Sequence, residues 1–152
     1  MEMQTFYRIA RARHCMDLSG KGAELYGGRW NPVGTPAVYA AASVSLAMLE
    51  TLVHSSMLPK GYFIMKLEVP FTDIKSISSD RLPAGWDDWA DQAVAQSFGV
   101  DHLFKKRSFG LLIPSVVVPE ESNLVLNPGH ASIRSVVVST LRSLCFDPRL
   151  KE

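Results

Sequence analysis

The stretch Ser43-Val44-Ser45-Leu46-Ala47-Met48-Leu49-Glu50-Thr51-Leu52-Val53-His54 reads as a helix, and what flanks it decides the fold class. Ser43 is a good N-cap, and the helical pattern runs to about residue 56. At ~100° per residue, Val44, Leu46, Met48, Leu49, Leu52 and Val53 spread over a broad apolar arc. Only a narrow polar stripe is left, made of Ser43, Glu50 and His54 with Ala47 between them. A short strand is expected at 37–41, just before this helix. Another follows at 61–69, where apolar and polar residues alternate until Pro70 ends the run.

Farther out the same alternation continues. Residues 4–11 read as a strand, with Phe6 and Arg8 on one face and Tyr7 and Ile9 on the other. A short strand is expected near 74–77, and a second helix, rich in Asp, Ala and Gln, over 86–98. The run 111–118 reads as a strand kinked or bulged at Pro114-Ser115. Residues 124–126 read as a strand, and 135–140 as a strand or a helix, since Ile133, Val136, Val137 and Leu141 also fit the helical period. Strands before, between and after two helices predict an α+β fold. The expectation is one compact domain over 1–152, with a mixed or antiparallel sheet core and flanking helices.

Composition narrows the function classes. The chain has 152 residues, 47% hydrophobic and 20% charged, which is globular composition and excludes disorder as the main state. A net charge of +1 leaves no overall electrostatic footprint for nucleic acid or an anionic membrane. The two cysteines, Cys15 and Cys145, offer neither a disulfide framework nor zinc-knuckle spacing. No signal-peptide pattern opens the chain, and no apolar run is long enough for a membrane span. A cytoplasmic protein is expected.

Three places carry chemistry. Five of the ten glycines fall between positions 20 and 34, in what reads as a structured loop. Neither a dinucleotide fingerprint nor a P-loop is present. Arg29, directly after Gly27-Gly28, sets a guanidinium beside flexible backbone, an arrangement suited to phosphate. On the helix, Glu50 and His54 are i,i+4 neighbours, roughly 5–6 Å apart at Cβ. They form either a strip of surface or a cleft wall whose carboxylate stabilises positive charge. Two such ligands do not make a zinc site, and no metal is expected. Ser115, at the strand break, is either an ordinary strand-end residue or a hydrogen-bond donor to a ligand. No Gly-x-Ser-x-Gly elbow is present. Lys105-Lys106-Arg107 reads as a solvated turn, and Trp86 and Trp89 as core or partner contacts.

Together these segments resemble the RES domain, the toxin half of a bacterial toxin–antitoxin system. The likeness rests on Tyr7-Arg8, Leu18-Ser19-Gly20-Lys21-Gly22-Ala23, Tyr26-Gly27-Gly28-Arg29-Trp30-Asn31-Pro32 and Val38-Tyr39. It continues in Ser45-Leu46-Ala47-Met48-Leu49-Glu50, Val53-His54, Pro114-Ser115, Asn123, Asn127-Pro128 and Phe146-Asp147-Pro148-Arg149-Leu150. The resemblance implies a fold related to ADP-ribosyltransferase toxins and NAD⁺ as substrate, without a metal. It implies destruction of NAD⁺ by hydrolysis or phosphorolysis, or transfer of ADP-ribose to a protein such as phosphoribosyl-pyrophosphate synthetase. The family's essential residues map onto Arg29, Tyr39, Glu50 and Ser115, with His54 as a further catalytic candidate. Arg8, Ser43 and Asn123 join Arg29 and Tyr39 as expected binding residues, Tyr39 by stacking on a flat ring. The expected partner is an antitoxin with a DNA-binding domain, so the toxin itself needs no contact with nucleic acid. A non-catalytic module holding a nucleotide or a partner on the Arg29-Trp30 loop is the main alternative, and a purely structural protein is the third.

Overall fold

The computed structural model describes residues 2–151. Strand β1 (Met3–Arg11) leads through a loop to the short helix α1 (Lys21–Tyr26), then to β2 (Val38–Ala41) and α2 (Val44–Val53). Strands β3 (Tyr62–Pro70) and β4 (Ile74–Ser76) follow. A long excursion containing α3 (Ala93–Gly99) returns to β5 (Gly110–Pro114), β6 (Ser122–Leu126) and β7 (Val137–Leu144). All seven strands join one sheet in the order β4-β5-β6-β2-β1-β3-β7. Only β4 and β5 run parallel, so the sheet is mixed, within the α+β class expected.

Strand alternation sorts the core between the two faces of this sheet. Phe6, Val38, Ala40, Met65, Leu67, Leu124 and Leu126 pack on one face. On the other, α2 covers the β1–β3–β7 end through Leu46, Ala47, Leu52, Ile64, Leu144 and Phe146. The excursion between β4 and β5 covers the opposite end of that face. There Trp30, Trp86, Ala95, Phe98, Leu103, Leu111 and Val125 form one cluster. No helix of the described residues is long and apolar enough to cross a membrane.

Several local readings change. The glycine-rich segment contains helix α1, bounded by Gly20 (φ 72°) and Gly27 (φ 73°), positions where a side chain would be strained. Helix α2 ends at Val53 rather than near 56, and the Lys151 ammonium takes the Leu52 carbonyl at 2.7 Å. Leu49 and Val53 remain exposed on it, so its burial is narrower than its composition implies. The helix expected from 86 begins only at Ala93. Before it, the Asp88 carboxylate accepts from the N–H groups of Ala90 and Asp91, and Asp91 accepts from Ala93, local turns that compete with a helix. It then widens into a π-turn over Val100–Phe104. Pro114 ends β5 outright instead of kinking it. Of the ambiguous 135–140 segment, residues 137–140 join strand β7 by pairing along β3, while Ser135 closes a 3₁₀ turn over Ala131–Ser135.

One topological detail makes the site. All nine residues of β1 pair with β3, yet β1 meets β2 only at Tyr7 and Ala41. Beyond that point the two strands part, and a cavity of about 830 Å³ opens between them.

Candidate active site

A volume of this size lies within the range of small-molecule and cofactor pockets, roughly 300–1,000 Å³. The parted strands supply Arg8 and Arg11 from β1 and Val38, Tyr39 and Ala40 from β2. Helix α2 contributes Glu50 and, at its C-cap, His54, the α1 loop contributes Gly28 and Arg29, and β6 contributes Asn123. Six of the eight residues expected at the site therefore line one cavity, although they come from five different segments. Ser43 and Ser115 do not line it.

Glu50 is the best-organised group on the wall. Its Oε1 accepts from Ser115 Oγ at 2.7 Å and from Asn123 Nδ2 at 2.9 Å. Its Oε2 lies 4.0 Å from His54 Nε2, and the Glu50 side chain is 25% exposed. Two donors on one oxygen lock the carboxylate's rotation and leave Oε2 directed elsewhere. Asn123, expected to bind substrate, lines the cavity and donates one amide N–H to Glu50.

Ser115 is fully buried, and its hydroxyl is fully engaged. It donates to Glu50 and accepts from the N–H groups of Val117 and Val118 at 3.0 and 3.1 Å. The geometry thus places it behind the carboxylate, off the cavity wall. Ser115→Ala removes one partner of Glu50 and leaves the N–H groups of Val117 and Val118 without their acceptor. We expect a loss of about 1–3 kcal/mol of stability, read as a lower urea midpoint at unchanged m-value. Ser43 caps α2 by accepting from Leu46 N–H at 3.1 Å and donates to Glu121 at 2.9 Å, away from the cavity.

The Arg29 loop is held from several sides. Tyr39 projects its hydroxyl into the loop, accepting from Trp30 N–H at 3.0 Å and donating to Asn31 Oδ1 at 2.5 Å. Burial pushes the Tyr39 phenol well above its usual range, against the opposing effect of these hydrogen bonds. Asn31, fully buried, donates to the carbonyls of Ala23 and Thr35 at 2.9 and 2.8 Å. Arg29 Nη1 donates to the carbonyls of Trp86 and Asp88 at 2.9 and 2.8 Å. Its Nε and Nη2 donors have no protein acceptor among the described residues.

Arg8 supplies the second cation, with Nη1 donating to the Asp17 carbonyl at 2.6 Å. Burial lowers its pKa, while nearby Asp17 works the other way. Sequence reading gave no role to Arg11, His14, Lys21 or Tyr62, which also line the cavity. Asn31 stood in the quoted motif without a role. A polar residue inside a Gly-Gly-Arg-Trp-Asn-Pro run was its only signal.

The chemistry available is that of three guanidinium groups (Arg8, Arg11 and Arg29), a rigid carboxylate and two imidazoles (His14 and His54) around one open cavity. Comparison with known proteins gives this arrangement a context. The RES domain family model matches residues 5–147. A Sphingobium protein named Prs ADP-ribosylating toxin is 42% identical, the match covering 96% of each chain. A protein of Yersinia enterocolitica named Toxin Res is 43% identical, over 95% of this chain and 98% of its own. Among solved structures, the crystal structure of the M. tuberculosis MbcT–MbcA toxin–antitoxin complex matches with a TM-score of 0.72. That match has 23% identity and covers 98% of this chain and 87% of the other, a likeness of fold. With nearly its whole length matched, and relatives above 40% identical from end to end, this chain belongs to the RES domain family.

Proposed function

We propose that this chain is the toxin of a toxin–antitoxin pair, and that it cleaves the nicotinamide–ribose bond of NAD⁺ bound in the cavity between β1 and β2. The observation that carries this reading is the Glu50 carboxylate, pinned through Oε1 by Ser115 and Asn123 on the wall of that cavity. When the glycosidic bond breaks, its electron pair leaves with neutral nicotinamide, so the leaving group needs no acid. The ribose develops oxocarbenium character, and a fixed carboxylate stabilises that cation more than the ground state. Arg29 and Arg8 hold the diphosphate, and Tyr39, on the cavity wall, stacks on a flat ring of the substrate. His54, exposed and beside Glu50, takes the proton of the incoming nucleophile.

The acceptor is water, phosphate or a protein side chain. The name of the Sphingobium relative favours ADP-ribosylation of a protein, with phosphoribosyl-pyrophosphate synthetase as the kind of target. We further propose a cognate antitoxin, carrying the DNA-binding domain of the pair, that keeps the enzyme inactive in its host. Incubation with NAD⁺, following nicotinamide release, tests the core of the reading. Mass spectrometry of the products, with and without phosphate and a protein acceptor, separates the three acceptors. Binding of NAD⁺ without turnover would favour the non-catalytic alternative.

Arg29→Ala tests the diphosphate assignment. Losing hydrogen bonds from a charged donor, worth about 1.5–3 kcal/mol, raises KM for NAD⁺ by roughly ten- to a hundredfold at little change in kcat. A fall in kcat at constant KM would move Arg29 into the transition state.

A further inference from the structure

The peptide joining Gly28 to Arg29 has its own support, and it comes from outside the cavity. Gln96, on α3 and half-buried, does not line the pocket, yet its Nε2 donates to the Gly28 carbonyl at 2.9 Å. A carbonyl only accepts, so the orientation of the Gln96 amide is fixed by this bond. In a planar trans peptide the C=O and the next N–H point in opposite directions. Pulling the Gly28 carbonyl toward α3 therefore turns the Arg29 N–H away from α3.

The neighbouring main-chain donors are all consumed. Gly27 N–H bonds the Ala23 carbonyl at 2.8 Å, Gly28 N–H the Asn31 carbonyl at 2.9 Å, and Trp30 N–H the Tyr39 hydroxyl at 3.0 Å. The Arg29 N–H alone in this run has no acceptor among the described residues. It sits between Gly28 and Trp30, all three on the cavity wall, and the Nε and Nη2 donors of the same residue are likewise without a protein acceptor among the described residues. Main-chain N–H and guanidinium together make a donor cluster for an anionic oxygen.

We propose that Gln96 is a positioning residue, which sets the Gly28–Arg29 peptide so that the Arg29 main chain and side chain meet the same anionic group of the substrate. This rests on the reading of the cavity as the NAD⁺ site. Gln96 touches no ligand and acts through Gly28. Its effect therefore falls on substrate binding and not on bond cleavage.

Two variants of the full chain test this. Gln96→Met keeps the length of the side chain and removes the donor, and Gln96→Glu sets a carboxylate against the carbonyl. Both are expected to raise KM for NAD⁺ roughly three- to tenfold, the value of one hydrogen bond, with kcat within about twofold. Amide exchange at Gly28 and Trp30, whose N–H groups are hydrogen-bonded, should quicken in both without NAD⁺. The Glu variant should approach the unaltered chain as pH falls, since a protonated carboxyl can again donate. An unchanged KM in both variants overturns the proposal, whatever the exchange data show. If the unaltered chain neither binds nor cleaves NAD⁺, the functional reading fails first and this inference falls with it.

Discussion

Glu50→Gln is expected to lower nicotinamide release by about 10²–10³-fold while leaving the fold intact. The amide keeps the size of the carboxylate, and its oxygen can still accept from Ser115 and Asn123. What disappears is the negative charge facing the developing ribose cation, an interaction realised mainly in the transition state. The loss should therefore appear in kcat and kcat/KM together, with KM for NAD⁺ little changed. Far-ultraviolet circular dichroism and the melting temperature should match the unaltered chain. A variant that retains activity within about tenfold of the parent would remove Glu50 from the role of cation stabiliser. Tolerance in cells gives an independent reading, since free toxin should be tolerated only when this carboxylate is disabled.

Gly99→Ala should be the most damaging small substitution. A Cβ at this position would lie 1.9 Å from the Trp30 carbonyl oxygen and 2.9 Å from its carbon. Both atoms belong to the backbone of the Arg29 loop, not to the end of a flexible side chain, and Gly99 itself lies where α3 passes into the π-turn. The Trp30 indole is also fixed, with ring centroids 6.0 Å from Trp86 and 5.9 Å from Phe98. Relief thus requires α3 and the loop to separate, opening the cluster around Trp30. We expect a loss of about 3 kcal/mol or more, lowering Tm by roughly 10 °C in a calorimetric scan. A Tm within about 2 °C of the parent would show that α3 slides off the loop without cost.

The helix around Glu50 was legible because its signals are local. An N-cap serine, an apolar arc and an i,i+4 pair all lie within one segment. The strands flanking it follow from the two-residue period in the same way. Contacts across the chain left no such trace. Ser115 and Asn123 stand 65 and 73 positions from Glu50, and Gln96 stands 68 from Gly28. A serine at a strand break reads alike whether it faces a ligand or props a carboxylate. Residues 86–92 mislead for a related reason. Their composition suits a helix, but Asp88 and Asp91 tie up nearby N–H groups, and Arg29 takes two carbonyls from a distant loop.

By itself the sequence determined the α+β class, the polar stripe of Glu50 and His54, and the guanidinium in the glycine-rich loop. Each depends on residue type and short-range spacing alone. Tertiary structure decided that these groups share one cavity. The four residues of β2 pair with β6, and all nine of β1 pair with β3, so the two strands meet at a single position and part. That split is the outcome of competition among partners far apart in the chain. Contacts of the same long range separate Ser43 from Glu50, two residues of one stripe: the first donates to Glu121, and the second lines the opening.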